Sequence, residues 1–156
     1  MVAPNIKSES PYLVLMADDD PDDIALVADA LVECAFASEV RTVPDGHALL
    51  EYLQHRGPGP DFNEKLDPDL ILLDINMPKR NGIDVLGEIK QTAGLSDITV
   101  VILTTSHSES DYVKTAALGA DGYITKPNSY RELVDMMRTL HGFRGERRRD
   151  LACNFG

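Results

Sequence analysis

The sequence predicts an α/β domain in which a five-stranded parallel sheet carries helices on both faces. Short runs of consecutive apolar residues, rich in β-branched side chains, are typical of strands buried on both faces of a parallel sheet. Longer segments with apolar residues at helical spacing lie between these runs, so that strand and helix alternate five times. The 156 residues contain no internal repeat, and this length suits one domain with a core of its own.

The first half of the chain contains two strand–helix units. The first strand is predicted at Tyr12–Ala17, and Asp20 and Pro21 suit the N-cap and first position of the helix that follows. Apolar residues recur through that helix at Ile24, Val27, Ala28, Leu31, Val32 and Ala35. A weaker strand is predicted at Ser38–Val43, and the turn Pro44–Gly46 leads into the second helix.

The second half continues the same alternation. Leu70–Leu73 is a wholly apolar strand that ends at Asp74, and the turn residues after it introduce the third helix. Strands are also predicted at Ile98–Leu103 and Tyr123–Thr125. The last two helices each begin with capping-box spacing, in the pairs Ser108 and Asp111, and Ser129 and Glu132.

Composition excludes several classes of function. A net charge of −11 argues against a nucleic-acid-binding surface, which would need a clustered basic face. The two cysteines form neither a disulfide framework nor a zinc spacing, which favours a reducing, cytoplasmic setting. The start of the chain lacks the features of a signal peptide, and the apolar runs are too short to cross a bilayer. We therefore expect a soluble cytoplasmic domain with no nucleic acid or membrane among its partners.

The two ends of the chain and one long loop lie outside the alternating strands and helices. Residues 1–11 are predicted to be a flexible N-terminal arm, residues 12–142 the folded domain, and residues 143–156 a basic C-terminal tail. The tail is interpreted as a solvated end; a second interpretation makes it a contact with a partner, or with the acidic body of a second copy in a homodimer. The loop at 57–68 is longer than a usual helix-to-strand link, which suggests a specialised surface.

Polar side chains follow four of the five strands at the point where each ends: Asp18 and Asp19, Asp74, Thr104, and Lys126. Because the carboxyl ends of parallel strands meet at one edge of the sheet, we expect these side chains to converge. Three crowded carboxylates repel one another, so they need a cation or a raised pKa. Hard oxygen ligands with room for water favour Mg²⁺ over zinc.

Lys126 and Thr104 add a positive charge and a hydroxyl, which suit the extra oxygens of a phosphoryl group. The residues therefore predict a Mg²⁺-assisted phosphoryl transfer onto Asp74 that gives an acyl phosphate. Each residue also has a structural interpretation when taken singly. For Asp20, Asp22 and Asp23 that interpretation, helix capping and solvation, is preferred.

These motifs in this order resemble the receiver domain of response regulators (CheY-like), with the match running from Tyr12 to His141. The resemblance implies a flavodoxin-like, doubly wound (βα)5 fold and a phosphoprotein of a two-component phosphorelay. It implies that a sensor histidine kinase donates the phosphoryl group, and that the domain catalyses only its own phosphorylation and dephosphorylation. The resemblance implies that Asp74 is the phospho-acceptor and that Thr104 and Lys126 contact the phosphoryl group. It implies that Tyr123 is the switch residue. The implied metal ligands are Asp18, Asp19, Asp74 and the backbone carbonyl of Asn76.

A narrower resemblance is to the single-domain response regulators paired with bacterial and cyanobacterial phytochrome kinases. This resemblance rests on three features: the aspartate run around Pro21, the long loop at 57–68 and the absence of an output domain. Asp20 departs from the Asn that is common at this place and adds charge near the metal site. Asn76 and Thr105 stand where side chains can govern water access to the acyl phosphate.

Three alternative functions fit the sequence less well than a phosphorylated receiver. A flavin-binding protein of similar topology needs hydroxyl or glycine donors after the first strand, where this chain has aspartates that repel a phosphate. An aspartyl-phosphate hydrolase needs an acid two residues after its nucleophile, a position occupied here by Asn76. A vestigial receiver that acts only as a protein-binding module stays open, although the intact polar set argues against it.

Overall fold

A computed structural model describes residues 12–36, 39–54 and 68–143, and it confirms the predicted fold class. The predictions for the N-terminal arm, for nearly all of the 57–68 loop and for the basic tail lie outside the described residues. The division of the chain into arm, domain and tail therefore stays a prediction.

Five parallel strands form one sheet in the described part of the chain, in the order β2-β1-β3-β4-β5. The strands are β1 (Leu13–Ala17), β2 (Glu39–Val43), β3 (Leu70–Leu73), β4 (Thr99–Thr104) and β5 (Gly122–Thr125). Every residue of β1 and β3 is buried, as their unbroken apolar sequences predict. The strand order reverses between these two strands, and such a reversal opens a crevice at their carboxyl ends.

Within the described residues, five α-helices cover the sheet: α1 (Pro21–Glu33), α2 (Gly46–Gln54), α3 (Gly82–Gln91), α4 (Glu109–Leu118) and α5 (Tyr130–Thr139). One core lies under α1 and α5, and a second core lies under α2 and α3 on the opposite face. Only Thr115 of α4 is buried. None of the described helices combines the length and the apolar character needed to span a bilayer.

The helix starts follow the predicted capping residues. The Asp20 side chain accepts the N–H of Asp22 at 2.9 Å, and Pro21 is the first residue of α1. Ser108 and Ser129 accept the N–H groups of residues 111 and 132 at 3.2 and 3.1 Å. Side-chain oxygens thus satisfy one of the N–H groups that each of these helices leaves without a helical partner.

The end of α1 differs from its prediction. The helix stops at Glu33, and Ala35 adopts a left-handed φ of 57°, so Ala35 is not part of the helical pattern. Val32 was predicted on the buried face, but it is 67% exposed. Ala30 faces the core instead, three residues after the buried Val27, and the fully buried Phe36 joins the same core after the turn at Ala35.

Gly82, at the start of α3, allows the chain to pack against the end of β3. Its N–H donates to the Ile75 carbonyl at 2.9 Å. A Cβ built on Gly82 would overlap the Asp74 carbonyl oxygen and would lie 2.7 Å from the Ile75 Cα. The first turn of α3 can therefore approach the Asp74 backbone only when this residue has no side chain.

We expect Gly82→Ala to lower the free energy of unfolding by about 1–3 kcal/mol, because the added methyl group displaces backbone rather than a flexible side chain. Gly87→Ala in the same helix is the matched control, since its Cβ would meet only Leu118 at 3.6 Å. That control should instead raise the free energy by about 0.5–1 kcal/mol. Urea denaturation measures both, and equal effects of the two substitutions would contradict the close approach.

Candidate functional site

The carboxyl ends of the strands bring the predicted acidic residues together. Asp18 follows β1 and Asp74 follows β3, and the Asp74 N–H donates to the Ala17 carbonyl at 3.0 Å. Although both side chains carry carboxylates, Asp18 is 1% exposed and Asp74 is 7% exposed. Thr104 is the last residue of β4, one residue beyond the predicted strand end, and is fully buried.

Lys126 reaches this group from the end of β5. Its backbone N–H donates to the Thr104 carbonyl at 2.7 Å, which fixes the residue beside β4. Its ammonium lies 2.7 Å from Asp18 Oδ2 and 3.4 Å from Asp74 Oδ2. The structure thus brings together the lysine and two of the predicted carboxylates.

Asp23 of α1 is a third partner of the Lys126 ammonium. Its Oδ2 accepts a hydrogen bond from Nζ at 2.8 Å. The sequence interpretation of Asp23, helix capping and solvation, did not include this contact, although Asp23 does lie in the first turn of α1 and is partly exposed. The available signal was helical spacing: Val27 and Leu31 are buried and lie four and eight residues after Asp23, so the three share the face of α1 that points inward.

Burial and charge act together on the ionisable groups of the site. Burial raises the pKa of the Asp18 carboxyl above its usual value, although the hydrogen bond from Lys126 opposes this rise. Burial also works against the charged form of Lys126, but hydrogen bonds to Asp18 and Asp23 outweigh it. The pKa of Lys126 therefore lies well above its usual value, and the lysine remains an ammonium at neutral pH.

The residues present fit a divalent cation. One carboxylate oxygen from each of Asp18, Asp19 and Asp74 lies within 4.8 Å of the other two, and Asp19 is exposed to solvent. Three hard oxygen ligands, with one side of the group open to water, match the donors that Mg²⁺ prefers. The Asn76 N–H donates to Asp74 Oδ1 at 3.2 Å. The role of the Asn76 carbonyl as a further ligand stays a prediction.

Ser106 connects Thr104 to Tyr123. The Ser106 N–H donates to Thr104 Oγ1 at 3.2 Å, and the Ser106 carbonyl accepts the Tyr123 hydroxyl at 3.2 Å. The Ser106 hydroxyl also donates to Asp111 of α4 at 2.7 Å. Tyr123 is half-buried and packs edge-on against Tyr112, with ring centroids 5.3 Å apart. Sequence reasoning missed Ser106, because its contacts depend on the shape of the loop after β4 and leave no periodic pattern.

A family comparison agrees with this geometry. The model of the response regulator receiver domain matches residues 14–138. The chain belongs to this family. Its members are phospho-acceptor signalling domains rather than multiple-turnover enzymes, as the sequence indicated.

Individual relatives resemble the chain over most of its length. Response regulator Rcp1 of Synechocystis sp. (strain ATCC 27184 / PCC 6803 / Kazusa) is 36% identical over 137 residues, which are 88% of this chain and 91% of that protein. The crystal structure of the phosphorylated cyanobacterial phytochrome response regulator RcpA is 35% identical, with a TM-score of 0.74, covering 85% of this chain and 92% of its own. The Mn²⁺-bound form of Rcp1 has 35% identity and a TM-score of 0.72, covering 85% and 94%.

The predicted metal site can be tested through stability. We expect Asp19→Asn to raise the free energy of unfolding in a chelator by about 0.5 kcal/mol, because it relieves repulsion among the carboxylates. Saturating Mg²⁺ should stabilise the wild-type protein by roughly 1–3 kcal/mol, and this gain should be nearly lost in the variant. Urea denaturation with and without Mg²⁺ measures both quantities.

Asp84→Asn is the control, because Asp84 is exposed in the first turn of α3. It should keep the full stabilisation by Mg²⁺. A gain as large in Asp19→Asn as in the wild-type protein would contradict the assignment of Asp19 to the metal site.

Proposed function

We propose that this receiver domain accepts a phosphoryl group from a phosphohistidine of a sensor kinase onto Asp74. The observation that carries the proposal is the position of Asp74: its nearly buried carboxylate lies at the end of a rigid strand, 3.4 Å from the Lys126 ammonium. Two further carboxylates suited to a cation lie beside it. A carboxylate placed next to fixed positive charge can receive an anionic group that would otherwise be repelled.

The transfer uses the groups of this site. A carboxylate oxygen of Asp74 attacks phosphorus, and the bond between phosphorus and the imidazole nitrogen of the kinase breaks. The electron pair of that bond returns to the imidazole, which takes up a proton, and Asp74 becomes an acyl phosphate. Lys126 supplies positive charge to the phosphoryl oxygens, and its hydrogen bond to Asp18 holds it in place. Attack of water on phosphorus later restores the carboxylate and releases phosphate.

Asp18, Asp19 and Asp74 would hold the Mg²⁺ that receivers use, and the carbonyl of Asn76 would complete the protein ligands. Mg²⁺ held by these residues would supply positive charge that offsets the negative charge of the phosphoryl oxygens. Two relatives support these assignments: RcpA was solved in its phosphorylated state, and Rcp1 with bound Mn²⁺. The exposed side chains of Asn76 and Thr105 flank the site and would govern the approach of water.

Phosphorylation then acts on a protein-interaction surface. The Thr104 hydroxyl donates to a phosphoryl oxygen, and its Oγ1 accepts a hydrogen bond from the Ser106 N–H. Ser106 is in turn hydrogen-bonded to Tyr123 and Asp111. A movement of Thr104 therefore changes the contacts of both β5 and α4. We infer that the outcome is a changed affinity for a partner protein or for a second copy in a homodimer. The similarity to RcpA favours a phytochrome as the kinase, and the cytoplasmic setting expected from the cysteines stays a prediction.

The competing proposal is a vestigial receiver that binds proteins without being phosphorylated. Incubation with acetyl phosphate and Mg²⁺, followed by intact-mass measurement, separates the two. We expect the wild-type protein to gain one phosphoryl group, because Asp74 is the nucleophile that the site surrounds, and we expect Asp74→Asn or a chelator to abolish the gain. Asp84→Asn should be phosphorylated normally. No gain in folded wild-type protein would favour the vestigial receiver.

A further inference from the structure

We propose that Asp23 is a positioning residue that draws the Lys126 ammonium toward α1, away from Asp74, and so leaves the Asp74 carboxylate available to the metal ion. This inference rests on the proposed function, because it assigns a role in metal binding at the same site. Asp23 was expected to be a capping or solvated residue, yet it makes one of the shortest contacts of the site. It stands outside the group of carboxylates that can share a cation.

The geometry of the ammonium is uneven. Its contacts to Asp18 and Asp23 are 2.7 and 2.8 Å, whereas its contact to Asp74 is 3.4 Å. Lys126 therefore forms short hydrogen bonds to Asp18, after β1, and to Asp23, on α1, and only a long one to the proposed phospho-acceptor Asp74. An ammonium has three N–H donors, so a donor that is committed to Asp23 is not available to the other carboxylates.

The Lys126 ammonium and the metal ion compete for the same carboxylates, so the position of the ammonium affects metal binding. Asp18 and Asp74 are partners of Lys126 and are also candidate ligands of the cation, so the ammonium and the metal compete for the same oxygens. Of the carboxylates that contact Lys126, Asp23 alone lies outside the ligand group of the described residues. Its attraction for the ammonium therefore weakens the competitor without occupying a ligand position.

Asp23 is held in the place that this role requires. It is the third residue of α1, where the positive end of the helix dipole stabilises a carboxylate. Val27, one turn later, is buried against the sheet and fixes the orientation of this face of the helix. The Asp23 side chain keeps 32% of its surface exposed, so it is partly hydrated while its Oδ2 faces Lys126.

The test is a double-mutant cycle that measures the dissociation constant for Mg²⁺ by calorimetry on the whole chain. In Asp23→Asn the ammonium loses a charged partner and shifts toward Asp74, so we expect the dissociation constant to rise roughly tenfold. Asp22→Asn removes the same charge from an exposed neighbour in the same helical turn. That control should change the constant by less than about twofold.

The second arm repeats both substitutions in Lys126→Met and Lys126→Gln backgrounds. Without the ammonium, the effect of Asp23→Asn should shrink to that of Asp22→Asn. An equal effect with and without Lys126 would show that Asp23 acts on the metal directly and would overturn the inference. So would an unchanged constant in Asp23→Asn itself. Wild-type protein that binds no Mg²⁺ would instead overturn the proposed metal site, and the inference with it.

Discussion

The site depends on one interaction: a single ammonium neutralises the carboxylates of three residues that lie on or after three different elements. Lys126, after β5, contacts Asp18 after β1, Asp74 after β3 and Asp23 on α1. The lysine and the carboxyl groups of Asp18 and Asp74 are almost completely buried. Buried carboxylates this close together would be strongly unfavourable without a cation, so the lysine offsets the cost of burying Asp18 and Asp74.

The parallel sheet is what delivers these groups to one place. Since all five described strands run in the same direction, the residues that follow them meet at one edge. The hydrogen bond from the Asp74 N–H to the Ala17 carbonyl extends the pairing of β1 and β3 up to Asp74. Gly82 then lets α3 begin against the Asp74 backbone. Asp74 is therefore positioned mainly by main-chain contacts, which do not depend on the charge state of the site.

The sequence was informative wherever a local pattern determines the structure. Apolar runs located the strands, and side chains that follow strand ends, such as Asp74 and Lys126, could be predicted to converge because of topology alone. Ala35 was misplaced because helical spacing does not reveal where a helix ends. Val32 lies within α1 but on its exposed side, which the apolar spacing did not distinguish from the buried one. The contacts of Asp23 and Ser106 depend on the distance between α1 and β5 and on the path of the loop after β4. No single segment of the sequence contains that information.

Of the four neighbouring carboxylates, those of Asp18, Asp19, Asp23 and Asp74, we propose that Asp74 receives the phosphoryl group. Borohydride reduction of the phosphorylated protein tests this most directly, since it converts an aspartyl phosphate into homoserine that peptide mass spectrometry can locate. Asp74 is the carboxylate fixed at the end of a central strand beside both the lysine and the metal ligands, so we predict homoserine at position 74 alone. Homoserine at position 18, 19 or 23 would contradict this account of the site.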